Sequence, residues 1–173
     1  MHDLPNEPLV VFSHGQESGP WGSKIKHLSG IAVRCGYAVQ SIDYQGLDNP
    51  EDRVARLLDS VDPASPVILV GSSMGGYVSA RASNHLRVSG LFLLAPAFGL
   101  ARYGLDPEPT WQAGRTAIVH GWSDDVVPPE PVIALAGQRR AALYLLDDGH
   151  RLAESIDELG VLFQQFLRQC RCS

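Results

Sequence analysis

No segment of the 173-residue sequence approaches the roughly 18 consecutive apolar residues that a membrane-spanning helix requires, so insertion by that route is not expected. The first residues, Met1-His2-Asp3-Leu4-Pro5-Asn6-Glu7, lack the basic start and long apolar stretch of a secretory leader, and the expected compartment is the cytoplasm. Cysteine is scarce: Cys35, Cys170 and Cys172 are odd in number and unevenly spaced, which argues against a disulfide scaffold. The Cys170-x-Cys172 pair stands in the tail with no second ligand pair for zinc, so neither a metal nor a cofactor is expected and all three read as buried or tail thiols. An excess of basic residues is missing too. At a formal net charge of −5 the mean field repels polyanions, and the densest basic cluster, Arg139-Arg140, is too short to track a phosphate backbone; nucleic acid is not an expected partner. That pair reads instead as the end of a helix, where cations offset the macrodipole.

What is present fits one domain, residues 1–173, long enough to bury roughly 70% of the surface its unfolded chain exposes. Short apolar runs alternate with helical patterns and turn residues. Pro8 to Phe12, Tyr37 to Asp43, Val67 to Val70, Gly90 to Pro96, Thr116 to Gly121 and Ala141 to Leu146 read as strands. Helices are expected from Gly22 to Cys35, from Pro50 with Asn49 as its cap, after Ser73, from Pro129 to Gln138, and from about Leu152 to Arg168. Residues 97–114, rich in Gly and Pro, form the least regular stretch and the longest insertion. Alternating strands and helices of these lengths imply right-handed crossovers and a mostly parallel sheet of about six strands covered on both faces, a three-layer α/β/α sandwich. In such sheets the ligand crevice lies at the C-terminal strand ends, near the point where strand order reverses.

The third run ends abruptly in Gly71-Ser72-Ser73-Met74-Gly75, a G-x-S-x-G pattern. The pattern suits a strand that turns into a helix within about two residues and holds the middle Ser on a strained, exposed corner, with glycines where side chains would collide with backbone. An ordinary Gly/Ser loop is the alternative; the apolar run before it, the small residues Gly75, Gly76, Ser79, Ala80, Ala82 and Ser83 after it, and the partners downstream favour the corner. Ser73 then needs a base. His150, in Asp147-Asp148-Gly149-His150 directly after the sixth strand, opens at the same sheet edge, whereas His2, His27 and His85 fall at the terminus or on helix surfaces. A third group must orient that base, and Asp124 or Asp125 after the fifth strand satisfies the order Ser, Asp, His; local reading does not choose between them. Two N–H donors for a tetrahedral oxyanion are available from the backbone of Met74 and of Gln16 in the loop after the first strand.

With Ser13-His14-Gly15-Gln16, Gly71-Ser72-Ser73-Met74-Gly75-Gly76, His120-Gly121-Trp122-Ser123-Asp124-Asp125-Val126-Val127-Pro128 and Asp148-Gly149-His150 in place, the chain resembles an α/β-hydrolase-fold serine hydrolase over nearly its whole length, near the small, lid-poor esterase-like members. The resemblance implies Asp124 as the acid, His120 as structural and His14 as a support of the oxyanion loop. It also implies that the family's N-terminal hairpin is missing and that residues 97–114 are too short for a substantial helical lid. A small acyl ester or thioester is then the expected substrate, with an amide hydrolase or a non-catalytic module on the same fold as alternatives. Trp21, Tyr44 and Trp122, with Phe98 or Tyr103, are loop aromatics expected to line the cleft.

Overall fold

The computed structural model describes residues 8–171; Met1 to Glu7, with His2, and Cys172 and Ser173 lie outside the described residues. Six strands, β1 (Leu9–Ser13), β2 (Ala38–Ile42), β3 (Val67–Ser72), β4 (Val88–Leu94), β5 (Arg115–Gly121) and β6 (Ala142–Leu146), form one sheet in the order β2-β1-β3-β4-β5-β6. Every pairing is parallel. Helices α1 (Ser23–Arg34) and α5 (Ile156–Arg171) cover one face, and α2 (Pro50–Asp59), α3 (Met74–Ser83) and α4 (Pro129–Arg139) cover the other.

The strand pattern explains the two layers. Side chains alternate sides at every residue, so Val10, Phe12, Ile68, Val70, Phe92 and Val119 enter the core under α1 and α5. Their neighbours Val11, Leu69, Leu91, Leu93 and Ile118 enter the core under α2, α3 and α4. Both sets are buried, which is why these strands read as unbroken apolar runs rather than as alternating ones. The Asn49 cap forms as expected: Oδ1 accepts from Glu51 N–H at 2.8 Å, with Pro50 in the first turn, an arrangement worth about 1 kcal/mol. Arg139 closes α4, and Arg140 takes the left-handed conformation beyond it.

Most element boundaries shift by a residue or more from expectation, and two of the shifts have a clear physical reason. β4 begins at Val88, two residues before Gly90, because that glycine is a notch inside the strand: a Cβ there would meet Cys170 Sγ at 2.6 Å and Phe166 Cε1 at 2.9 Å. β3 runs on to Ser72. The last helix starts at Ile156 rather than near Leu152, since Leu152 is at φ 51° in a turn and the Ser155 N–H is held by the Asp148 carboxylate at 2.9 Å.

The sheet order reverses between β1 and β3, which are adjacent, so the loops leaving their C-terminal ends lie side by side. Residues 97–114 begin beside Ser73, with Ala97 N–H donating to the Ser73 carbonyl at 3.0 Å, and then run back along α3. Asp106 N–H donates to Tyr77 Oη (3.2 Å), Asn84 Nδ2 to Thr110 O (2.9 Å) and Gln112 N–H to Ser83 Oγ (3.0 Å). The insertion therefore leads away from the strand ends, anchored by Phe98 stacked on Trp111 at 5.7 Å.

Candidate active site

Ser73 occupies the turn between β3 and α3 at φ 56° and ψ −119°, a conformation that L-residues avoid and that only the surrounding packing can hold. Two glycines permit the crossing. A Cβ on Gly71 would run into the Gly75 backbone, and one on Gly75 would strike the Ser13 and His14 carbonyls. Ser73 N–H donates to Leu94 O at 2.9 Å, while its carbonyl receives Gly76 N–H at 2.9 Å and Tyr77 N–H at 3.2 Å, so the corner is fixed on both sides. As the first residue of α3, Met74 has an N–H with no carbonyl one turn earlier to accept it within the helix.

The Ser, His and Asp named from the sequence come together. His150 Nε2 is 3.0 Å from Ser73 Oγ, and His150 Nδ1 is 2.8 Å from Asp124 Oδ2. A carboxylate only accepts, so Nδ1 carries the proton toward Asp124; with the ring neutral, Nε2 is left to accept from the Ser73 hydroxyl. Asp125, by contrast, is exposed. The Asp124 side chain is inaccessible to solvent, and its other oxygen accepts from Val126 N–H at 2.9 Å and Val127 N–H at 2.8 Å. Oδ2 also receives His120 Nε2–H at 3.2 Å. Burial alone would raise its pKa, but hydrogen bonds from His120, His150 and Val127 outweigh that and hold the carboxyl well below the usual carboxylate range. His120 is fully buried, and its Nε2 also faces Val127 O at 2.9 Å; both neighbours are acceptors, so the proton sits on Nε2.

The loops that carry these groups are stitched together at the ends of β5 and β6. Trp122 N–H donates to Leu146 O at 2.9 Å and Ser123 N–H to Asp148 O at 3.0 Å. Gly121 lets this happen, because a Cβ there would meet the Asp148 and Gly149 carbonyls. Asp148 shapes the His150 loop by accepting from Gly149 N–H at 2.7 Å and Ser155 N–H at 2.9 Å. From α1, half-buried Lys24 donates Nζ–H to Arg151 O at 3.0 Å. Burial lowers the Lys24 pKa to about 8 against the attraction of Asp148 and Asp124.

On the other side of Ser73, the loop after β1 lies against the corner: a Cβ on Gly15 would be 3.5 Å from Ser73 Cβ. Its approach is set by His14, fully buried, whose Nδ1–H donates to Gly15 O at 2.6 Å while Nε2 accepts Tyr44 N–H at 2.9 Å. Gln16 follows and is exposed. Of the aromatics expected to line the cleft, Trp21 (46% exposed) and Trp122 (57%) stand free at the C-terminal strand ends. Tyr44 does not: it is 0% exposed, its hydroxyl paired with Ser13 Oγ at 2.8 Å and its ring 5.2 Å from His14. Tyr44 continues the inward register of Ile42, two residues earlier, and joins the core under α2, so its side chain presents no surface to the cleft. Phe98 is likewise fully buried, against Trp111, whereas Tyr103 is exposed. Cys170 is buried, and burial pushes its thiol up to about 11, far from a reactive thiolate at neutral pH.

Sequence reasoning missed Arg53, Lys24 and Asp148, all within reach of the loops just described. Arg53 left a trace: it lies one turn before Leu57, on the inward stripe of α2, where a charge needs a buried partner. No cluster of His, Cys, Asp and Glu suited to a metal ion occurs among the described residues. A cavity of about 410 Å³ opens at the other end of β5 and β6, lined by Arg115, Arg140, Tyr144 and Phe166, away from Ser73.

A parallel sheet with a strained Ser at the strand–helix corner and His and Asp on the loops after later strands defines an α/β hydrolase. The chain belongs to the alpha/beta hydrolase family, whose sequence profile matches residues 10–168. Among solved structures, a protein of the alpha/beta hydrolase superfamily from Xanthomonas campestris pv. campestris is 32% identical, with a TM-score of 0.83 over 94% of this chain and 99% of that one. Est1E from Butyrivibrio proteoclasticus shares the fold at 19% identity and a TM-score of 0.77, covering 96% of this chain and 89% of its own; it has also been solved with ferulic acid bound. An esterase from Pyrococcus furiosus does so at 17% identity and a TM-score of 0.73, over 94% and 82%. No protein of curated description matches the sequence. No helix among the described residues is long and apolar enough to cross a membrane.

Proposed function

We propose that this hydrolase is a serine enzyme that cleaves a small acyl ester or thioester through an acyl-enzyme. The observation that carries the reading is the unbroken chain from Ser73 Oγ through His150 to Asp124, at 3.0 and 2.8 Å, built on a backbone corner strained at φ 56°. Ser73 Oγ attacks the acyl carbon as its proton passes to His150 Nε2; Asp124 holds the ring and favours the imidazolium. The oxyanion lies between the N–H groups of Met74 and Gln16. His150 returns the proton to the leaving alcohol or thiol, and water then repeats the sequence in reverse to release the acid.

Small, soluble acyl groups fit the surroundings. The insertion at residues 97–114 folds back along α3, and exposed Trp122 and Val126 on the Asp124 loop offer apolar surface beside the corner. The test is labelling with a fluorophosphonate and hydrolysis of a nitrophenyl acyl series, with alkyl and hydroxycinnamoyl esters and acyl thioesters included. Wild type labels and turns over, and Ser73→Ala does neither. Equal rates for the two, with no labelling, would refute the enzyme reading in favour of a non-catalytic module.

A further inference from the structure

Arg53 is the largest fully buried side chain among the described residues, at 2% exposure, and no carboxylate there pairs with it. Its partners are backbone carbonyls and a ring. Nε–H donates to Leu47 O at 2.7 Å; Nη1–H points at His14 O (3.5 Å) and Gly15 O (3.4 Å); the guanidinium carbon lies 5.4 Å from the Tyr44 ring centroid. A charge kept from water at such cost, with carbonyl dipoles in direct contact and the Asp48 charge attracting it without an ion pair, orients those dipoles strongly. Both carbonyls belong to the loop that runs past Ser73.

Peptide geometry then does the rest. In a trans peptide the C=O and N–H point in opposite directions. Gly15 O is turned toward His14 Nδ1 and Arg53, so the Gln16 N–H of that same peptide is turned the other way, away from Arg53. We infer that Arg53 is a positioning residue for the oxyanion loop: from α2 it fixes the Gly15–Gln16 peptide in the flip that presents the Gln16 N–H to the Ser73 corner. This rests on the serine-hydrolase reading above. The fork is needed as well as the charge, because one nitrogen holds Leu47 O while another faces the two loop carbonyls, which a lysine ammonium cannot reproduce. Tyr44 and His14 complete the support, each holding the other through the Tyr44 N–H.

The test compares wild type, Arg53→Met and Arg53→Lys on a nitrophenyl ester, with kcat expressed per site titrated by fluorophosphonate, and measures inhibition by a boronic acid that mimics the tetrahedral adduct. In Arg53→Met, kcat per titrated site falls by about tenfold to a hundredfold with KM little changed, and boronate inhibition weakens in parallel; Arg53→Lys lies between. A residue that merely fills the core would lower the melting temperature and the titratable fraction while leaving kcat per site alone, and that result overturns the inference. If Arg53→Met does not fold, Arg53→Lys decides by the same split: a fallen kcat at unchanged KM supports the role, a wild-type kcat overturns it. Wild type that neither labels nor turns over refutes the serine reading itself and the inference with it, a failure distinct from an active wild type matched by its Arg53 variants.

Discussion

Replacing Asp124 by Asn changes one atom and reverses one hydrogen bond. The Asn side-chain oxygen can keep the Val126 and Val127 N–H groups that Oδ1 accepts at 2.9 and 2.8 Å. The amide NH₂ then stands where Oδ2 was, facing His150 Nδ1 and the His120 Nε2–H. Two donors oppose each other at His120, and at His150 the amide favours the tautomer with a bare Nδ1. The proton moves to Nε2, which now points a hydrogen at Ser73 Oγ and cannot accept one. Loss of the correct tautomer in a Ser-His-Asp system costs about 10⁴ in kcat, or about 5.5 kcal/mol of transition-state stabilisation. Asp125 is exposed, so Asp125→Asn stays within about 0.5 kcal/mol, roughly twofold in rate. Steady-state hydrolysis of a nitrophenyl ester, corrected for folded protein, measures both. An Asp124→Asn enzyme within tenfold of wild type, or an equal loss in Asp125→Asn, would refute this account of the acid.

Gly75→Ala places a methyl group against the Ser13 and His14 carbonyls, backbone that no rotamer change can move aside. Thermal melts should show about 1–3 kcal/mol of destabilisation, and fluorophosphonate labelling should fall as the β1 loop is pushed from Ser73. The control is Gly137→Ala on α4, where nothing lies within 4 Å and helix propensity predicts a gain of up to about 1 kcal/mol; a melt that drops there and holds in Gly75→Ala would contradict the packing. His14 offers a test with pH. Burial, aided by the Arg53 charge, lowers its pKa against the opposing pull of the Gly15 carbonyl and Asp43. The unfolded chain therefore takes up this proton first as pH falls, so the contribution of His14 to stability is complete above about pH 6.5 and declines below it. Imidazole nitrogen NMR at pH 6 should find His14 neutral with the proton on Nδ1, and an imidazolium there would show that the Tyr44 N–H does not occupy Nε2.

The sheet was legible because both of its faces are buried, leaving each strand as an apolar run bounded by turn residues. The Ser73 corner was legible because its glycines answer to local sterics, and His150 because it directly follows a strand. Choosing Asp124 over Asp125 needed the family pattern: what separates them is whether the side chain turns in toward His120 and His150 or out to water, a tertiary fact. Leu152 shows a different blind spot, since its spacing to Ile156 and Leu159 matches a helix although it is buried from a turn at φ 51°. Tyr44 was misread as loop surface because the strand register of Ile42 outlasts the hydrogen-bonded strand by two residues. Arg53 escaped because no spacing rule pairs a helix cation with carbonyls 38 and 39 residues earlier.

β6 lies at the edge of the sheet, and much of it is only half-buried, yet His150 hangs from its end. The Trp122 N–H to Leu146 O bond and its neighbour at Ser123 tie that edge to the Asp124 loop. On the serine-hydrolase reading, a state in which β6 has come away from β5 keeps the Ser73 corner on the inner strands but has no base within reach of it. Opening of that one edge would then be enough to silence the site while most of the core stays shut.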